Sequence, residues 1–511
     1  MTRSGRVIVA TAALAALAFV SRLPQLLSPN LLVDGDESVL GLMAKHFAEG
    51  RAFPLFFWGQ RYGLSTIEAG AAAAAFRIAG VGPAALKVSM LLLWIAGVLF
   101  FFRAIAAIAG ETLAFWIACA LVLNPAWAVW SMKARGGYLT AFTAASMLLW
   151  IVVQPRERDT PRRWVAGGIL SAVVWLAQPV WLPGVVPIVV WALASRRRLT
   201  PAICFGGAMA AMLVAIKLIP VVSSDTWAGP ALGNPDVWGT RVRAAQQIYV
   251  NLTGSYYLTS TVDPPGPVTP IVAAAWCVAI GLAAVAQAYR LAARRFNRWS
   301  HLLFASLAAT LVGNWVLLFA RDGRYLLPMS ALLVALAGLE LADLAPKRIA
   351  RAVAAAALIG GAVSVYEFRN FSYLWPNPPG SQPEAKRLQF VIKSLGASGV
   401  RHVFSMNGLL DTQIIFYSDE RVISRWSNAN DRHPAYVAEV NRALAAGEPV
   451  AVVGYTNSSG APGCWDAPIC TGDIEHLVPD PERIYTVDGK YFVYTGAGRA
   501  LLEKLRFDLP E

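Results

Sequence analysis

Stretches of about 15 to 20 consecutive apolar residues recur along the chain, and nothing else in the sequence restricts its fold so strongly. They lie near 7–27, 84–102, 112–131, 138–153, 164–180, 181–195, 201–222, 269–289, 301–320, 325–343 and 349–366. A helix crosses roughly 30 Å of hydrocarbon with about 20 residues while satisfying its own backbone hydrogen bonds, which an open sheet or a loop does not do. The chain therefore reads as a polytopic α-helical membrane protein with about eleven crossings. Composition agrees, since 56% of its 511 residues are hydrophobic and only 15% are charged, which excludes an ordinary soluble enzyme. The fifth and sixth runs share one stretch, "WVAGGILSAVVWLAQPVWLPGVVPIVVWALA", long for one span and short for two. Pro179 and Pro183 mark a tight turn within it, and two spans are expected because the charge pattern then closes.

That pattern is the distribution of lysine and arginine, which collect in cytoplasmic loops. With Arg3 and Arg6 inside, the connections "QPRERDTPRR", "SRRRLT", "YRLAARRFNRWSH" and "APKRIAR" all fall on the cytoplasmic side. The formal charge of +13 then reflects topology and contact with anionic membrane lipids, not nucleic-acid binding. The tail beyond Tyr366 carries 14 basic and 17 acidic residues, so the excess lies wholly in the membrane part. The short first run also fits a cleaved signal peptide, and in either case the segment after it faces outside.

Residues 1–366 form the expected membrane domain, 367–382 a Pro-rich connector ("YLWPNPPGSQP" at its heart), and 383–511 an extracytoplasmic soluble α/β domain. Within the tail, "AKRLQFVIKSLG" and "PAYVAEVNRALAAG" have helical periodicity, while "HVFSM", "RVISRW" and "PVAVVGY" read as strands. "RIYTVDGKYFVYTG" reads as a hairpin turning at Asp488-Gly489. Cys464 and Cys470 flank "CWDAPIC" in a compartment that permits disulfides, so they form either a small structural clip or two free thiols.

Two outer loops are long enough to hold a site: 29–83, and the Pro/Gly-rich 223–268. The first opens with "LLVDGDESVLGLMAKHFAEG", placing Asp34, Asp36 and Glu37 within four positions. It continues through "GQRYGLSTIE", with Gln60, Arg61, Tyr62 and Glu68, and is expected to lie on the membrane surface as two amphipathic helices. Locally, Asp34 or Asp36 reads as the cap of a helix starting near Glu37, where the helix dipole favours acids. The same face also presents Lys133, Arg135 and Tyr138 in "SMKARGGY", and Arg321, Arg324 and Tyr325 in "ARDGRYLLP". A carboxylate facing several cations suits transfer from a phosphate leaving group: the acid takes the acceptor proton and the cations stabilise the departing phosphate. Outside the cytoplasm a glycosyl donor has to be carried on a lipid, and a polyprenyl phosphate serves. Gln60 and Tyr62 are candidate sugar contacts or interfacial anchors. Three neighbouring acids are also able to hold a divalent cation such as Mg or Mn through oxygen ligands.

At these residues the sequence resembles the GT-C membrane glycosyltransferases, in particular the branch with protein O-mannosyltransferases and lipid A aminoarabinose transferases. The carriers are the basic N-terminus and single span, the outer loop opening "DGDE", the later "GQRYGLSTIE", and "DGRYLLP" at the start of a late span. The resemblance covers roughly 7–366 and leaves the tail unmatched. It implies an inverting transferase that moves a sugar from a polyprenyl-phosphate-linked donor to an extracytoplasmic glycan, lipid or protein acceptor at a bacterial inner membrane. It further implies that Asp36 and Glu37 are the acidic pair, with Asp36 the catalytic carboxylate. Glu68 would be a second acidic group, and Arg324 with Tyr325 an Arg-Tyr pair on the donor phosphate. A transporter or flippase is the competing class. Such proteins usually place ionisable groups near the bilayer midplane on broken helices, often in repeated halves, and no repeat of the halves is visible here.

Overall fold

The computed structural model describes residues 3–196, 198–219, 244–257, 260–261, 264–316, 323–371, 383–426, 432–456, 478, 480 and 483–510. Arg321, most of the 223–268 loop, and both Cys464 and Cys470 fall outside them. Among the described residues, Cys119, Cys204 and Cys277 are free.

The apolar runs fold as helices in the expected order. They are α1 (Arg3–Val20), α4 (Pro83–Ala109), α5 (Glu111–Val122), α6 (Tyr138–Val153), α7 (Pro161–Ala177), α8 (Leu182–Ser195), α9 (Leu199–Lys217), α11 (Val268–Ala292), α12 (Arg298–Val316), α13 (Leu327–Leu344) and α14 (Lys347–Glu367). Six stretches of described helix are long and apolar enough to cross a membrane by length and composition. The rest are shorter, less apolar or bent. The disputed run 164–195 is two helices, broken at Gln178 by a 3-10 turn, Pro179–Trp181. The chain also bends by 60° after α5, where Asn124-Pro125 interrupts the helix. Proline lacks the amide hydrogen a helix needs there and disfavours helical backbone in the residue before it. The side chain of Asn124 caps the turn beyond, accepting from the Ala126 amide at 3.0 Å. That bend brings residues 133–137 back against the first long loop.

The loop carries two helices, α2 (Gly35–Ala48) and α3 (Thr66–Ala79). Helix α3 has one buried face, formed by Glu68, Ala69, Ala72, Ala73 and Phe76. Helix α2 departs from the expectation of an amphipathic surface helix, because every residue from Gly35 to His46 is buried. The covering element is the C-terminal α/β region. Its five-stranded sheet has the order β2-β1-β3-β5-β4, with β1 (His402–Ser405) parallel to both β2 (Ile423–Trp426) and β3 (Val450–Tyr455). Strand β5 (Tyr491–Tyr494) runs antiparallel to β3 and closes a hairpin with β4 (Ile484–Val487). The hairpin turns at Asp488 and Gly489, whose φ values of 51° and 62° suit the positive-φ turn expected of Asp-Gly. Around the sheet lie α15 (Glu384–Ala397), α16 (Gly408–Tyr417), α17 (Pro434–Ala445) and α18 (Arg499–Lys504), while a short α10 (Ala244–Thr253) packs on α11.

Helix α16 lies directly on α2. A Cβ on Gly35 would stand 2.4 Å from the Leu409 Cα, and one on Gly41 would stand 2.4 Å from the Phe416 ring, so glycine is what allows the approach. Thr412 Oγ1 donates to the Gly35 carbonyl at 2.7 Å, Gln413 Nε2 donates to the Val33 carbonyl at 2.8 Å, and the Val33 amide donates to Tyr417 Oη at 2.9 Å. One apolar core accordingly runs from the bundle through Leu42 and Met43 into Phe404, Ile415 and Phe416.

Candidate active site

Asp34 is the N-cap of α2. Its Oδ1 accepts from the Glu37 amide at 3.0 Å, while Glu37 Oε2 accepts from the Asp34 amide at 3.2 Å, a reciprocal capping box. The second Asp34 oxygen pairs with Lys133. Burial pushes the Asp34 carboxyl up, but Lys133, Arg135 and the cap hydrogen bonds outweigh it and hold the group at about 2. Glu37 Oε1 takes Lys87 Nζ, from the first turns of α4, and the Ala134 amide at 3.1 Å. Asp36 projects elsewhere on the helix: Oδ2 pairs with Arg135, and Oδ1 accepts from Arg432 Nη2 at 3.4 Å.

Exposure separates the three acids. Asp34 and Glu37 are 0% exposed, whereas Asp36 is 6% exposed. Two of the carboxylates are enclosed with their lysines, and of the three only Asp36 keeps any exposure. The three acids are already met by cations, Lys133 lying between Asp34 and Glu37 (3.8 Å from Glu37 Oε2), and no group of three His, Cys, Asp or Glu side chains among the described residues is arranged to hold a metal ion. A divalent ion does not fit this cluster as it stands.

Arg135 is aimed by a turn. Gly136 and Gly137 have φ of +48° and +89°, which only glycine adopts readily, and a Cβ on Gly137 would meet the Ala177 carbonyl oxygen at 2.9 Å. Glu68, on α3, fastens this turn and the start of α6 to α3. It accepts from the amides of Gly137 (3.1 Å), Leu139 (2.9 Å) and Thr140 (3.1 Å), the unsatisfied donors at a helix start. Burial pushes its carboxyl up to about 7, against the pull of those donors. Tyr138 is buried against the Trp130 ring, 4.9 Å between centroids. Gln60 is half-buried, whereas Arg61 and Tyr62 are exposed on the neighbouring turn.

Arg324 and Tyr325 occupy a separate 3-10 turn, Gly323–Leu326, leading into α13. The guanidinium lies 4.8 Å from the Tyr325 ring centroid and donates to its hydroxyl at 3.0 Å. Asn251 and Asn314 hold the turn by donating to the carbonyls of Gly323 (2.7 Å) and Tyr325 (2.9 Å).

Sequence reasoning missed Lys87 and Arg432. Lys87 had a signal, a single lysine inside the apolar run "PAALKVSMLLLW", where an unpaired ionisable group is expensive. Arg432 had none, since it meets Asp36 across 396 residues.

No family model matches the chain, and no curated protein matches it. Among solved structures it is similar to ArnT from Cupriavidus metallidurans bound to undecaprenyl phosphate, with 13% identity and a TM-score of 0.57, over 98% of this chain and 99% of that one. It is also similar to the Archaeoglobus fulgidus oligosaccharyltransferase in complex with Zn and sulfate, with 11% identity and a TM-score of 0.50, over 87% of this chain and 68% of that one. The first likeness spans the tail as well as the bundle, so the C-terminal α/β region, unmatched by sequence, has a counterpart in ArnT. Over almost its whole length, bundle and tail together, the chain shares the fold of the ArnT structure.

Proposed function

We propose that this protein is an integral membrane inverting glycosyltransferase that moves a sugar from a polyprenyl-phosphate-linked donor to an extracytoplasmic glycan, lipid or protein acceptor. The observation that carries the reading is Asp36, the one partly exposed carboxylate in a cluster whose other members are enclosed with lysines. The ArnT structure contains undecaprenyl phosphate, which supports a lipid-linked donor for a chain of the same fold.

In the proposed reaction the acceptor oxygen attacks the anomeric carbon from the face opposite the phosphate and gives its proton to Asp36 as the new C–O bond forms. The bond from the anomeric carbon to the phosphate oxygen breaks with its electron pair on that oxygen, leaving polyprenyl phosphate and inverting the anomeric centre. Arg324 is assigned to the phosphate, because a guanidinium presents two parallel donors to its oxygens. Arg135 orients Asp36, and Glu68 acts through the Gly136-Gly137 turn that carries Arg135. Lys133 and Lys87 are assigned to holding the start of α2.

The test is transfer of radiolabelled sugar from polyprenyl phosphate to envelope material in purified membranes. Asp36→Asn keeps the size of the side chain and removes the proton acceptor, so transfer should fall by about 10²- to 10⁴-fold. Arg324→Lys should lose less than Arg324→Ala, for which about 2 to 3 kcal/mol of lost stabilisation is expected. Near wild-type transfer by Asp36→Asn would remove the base assignment.

A further inference from the structure

Asp36 is held from two sides, and the two holds differ. The Arg135 side chain is 8% exposed and rises from a glycine turn fastened by three hydrogen bonds to Glu68. The Arg432 side chain is 33% exposed, meets Oδ1 at 3.4 Å, and lies over the Phe57 ring with its guanidinium carbon 5.2 Å from the centroid. A contact of that length and exposure is weak.

The root of Arg432 is held more firmly than its head. Next in the chain, His433 lies 4.2 Å from Trp58 and 4.4 Å from Tyr436, ring centroid to ring centroid. Tyr436, on α17, donates to Glu420 Oε1 at 2.6 Å, and the same carboxylate meets His46 Nε2 of α2 at 2.9 Å and Lys45 Nζ at 2.8 Å. This network pins α17 to α2. The result is a partly exposed cationic arm on a fixed base, with its tip on Asp36 Oδ1.

We propose that Arg432 is a displaceable positioning residue: it occupies Asp36 Oδ1 in the resting enzyme and gives way when an acceptor hydroxyl arrives, while Arg135 keeps Oδ2 throughout. This rests on the assignment of Asp36 as the base. Its consequence is protection of the donor, because water must displace the same guanidinium before Asp36 can take a proton from it. In the absence of acceptor, the wild-type enzyme then hydrolyses little donor.

The experiment measures release of free sugar from radiolabelled polyprenyl-phosphate-linked sugars extracted from the source membranes, with water as the sole acceptor. Arg432→Gln removes the charge from Oδ1 and should raise hydrolysis about fivefold, the factor matching a weak exposed ion pair of about 1 kcal/mol. Arg432→Lys should fall between Gln and wild type, and both variants should melt with the wild type, which a purely structural contact would not allow. Hydrolysis by Arg432→Gln that does not exceed the wild-type rate overturns the proposal. Asp36→Asn combined with Arg432→Gln is the control for the underlying reading: if the double variant hydrolyses donor as fast as Arg432→Gln alone, the base assignment fails, whatever Arg432 does.

Discussion

The close approach of α16 to α2 sets a measurable requirement at Gly35. An alanine Cβ there would lie 2.4 Å from the Leu409 Cα, whereas ordinary contact begins near 3.4 Å. The obstruction is backbone, so no rotamer change relieves it, and the helices must part by about 1 Å (3.4 − 2.4). Three hydrogen bonds span this interface, at 2.7, 2.8 and 2.9 Å, and the same displacement takes each beyond bonding distance. At about 1 kcal/mol net for each, Gly35→Ala should destabilise the protein by about 3 kcal/mol. It should also loosen the C-terminal region first, because the bonds lost are those that seat it. The control is Gly396→Ala on α15, where the new methyl meets nothing within 4 Å. Denaturation in detergent, followed by tryptophan fluorescence, reads the stability, and limited proteolysis between 371 and 383 reads the docking. If Gly35→Ala unfolds with the wild type and is cut no faster, α16 is not seated on α2 as described.

Lys87→Met should cost about 3 kcal/mol, because it leaves the fully buried Glu37 carboxylate with Lys133 at 3.8 Å as its cation, and Lys87→Met with Glu37→Leu should cost less than the two single variants together; an additive double variant would refute the pairing. Two carboxyls give stability opposite pH slopes. Asp34 is held below its unfolded value, so its contribution of about 2 kcal/mol is complete above about pH 4 and is lost as pH falls towards 2. Glu68 is raised, so the folded state holds a proton the unfolded state has released, and roughly 3 kcal/mol is lost as pH rises from about 4.5 to 7. Denaturation midpoints across this range should show both limbs, and Glu68→Gln should remove the upper one. Reporter fusions after Arg198 and after Gly380 should report opposite compartments; the same compartment for both would refute the expected sidedness.

Much of this architecture was legible because it follows from local rules. Apolar runs became helices, the Asp-Gly turn became a hairpin, and the acid at the head of "DGDE" became a cap. Helix α16 was not legible. "GLLDTQIIFY" is buried from Leu410 to Phe416, between α2 and the sheet, so it shows neither an apolar stripe nor alternation. The amphipathic reading of α2 failed for the same reason, since its polar residues Lys45 and His46 face Glu420 rather than water. Within the site, residue types were readable and partners were not, because Glu37 and Lys87 are 50 residues apart and Asp34 and Lys133 are 99.

The geometry also answers why three acids crowd one helix start. Buried ion pairs contribute little stability compared with apolar packing, so their presence needs another reason. Lys133 pairs with Asp34 and Arg135 with Asp36, so two cations two positions apart meet two acids two positions apart. The amide of Ala134, between the two cations, donates to Glu37. "KAR" is thus registered against "DGDE" by charge at both ends and by a backbone hydrogen bond at the centre. Asp34 and Glu37 complete their own capping box while binding Lys133 and Lys87, and their positions are fixed twice over. Asp36 shares the fixed backbone and keeps 6% exposure, its two oxygens held by Arg135 and Arg432. In the proposed reaction two of the three acids act as the mounting and the third, Asp36, takes the proton.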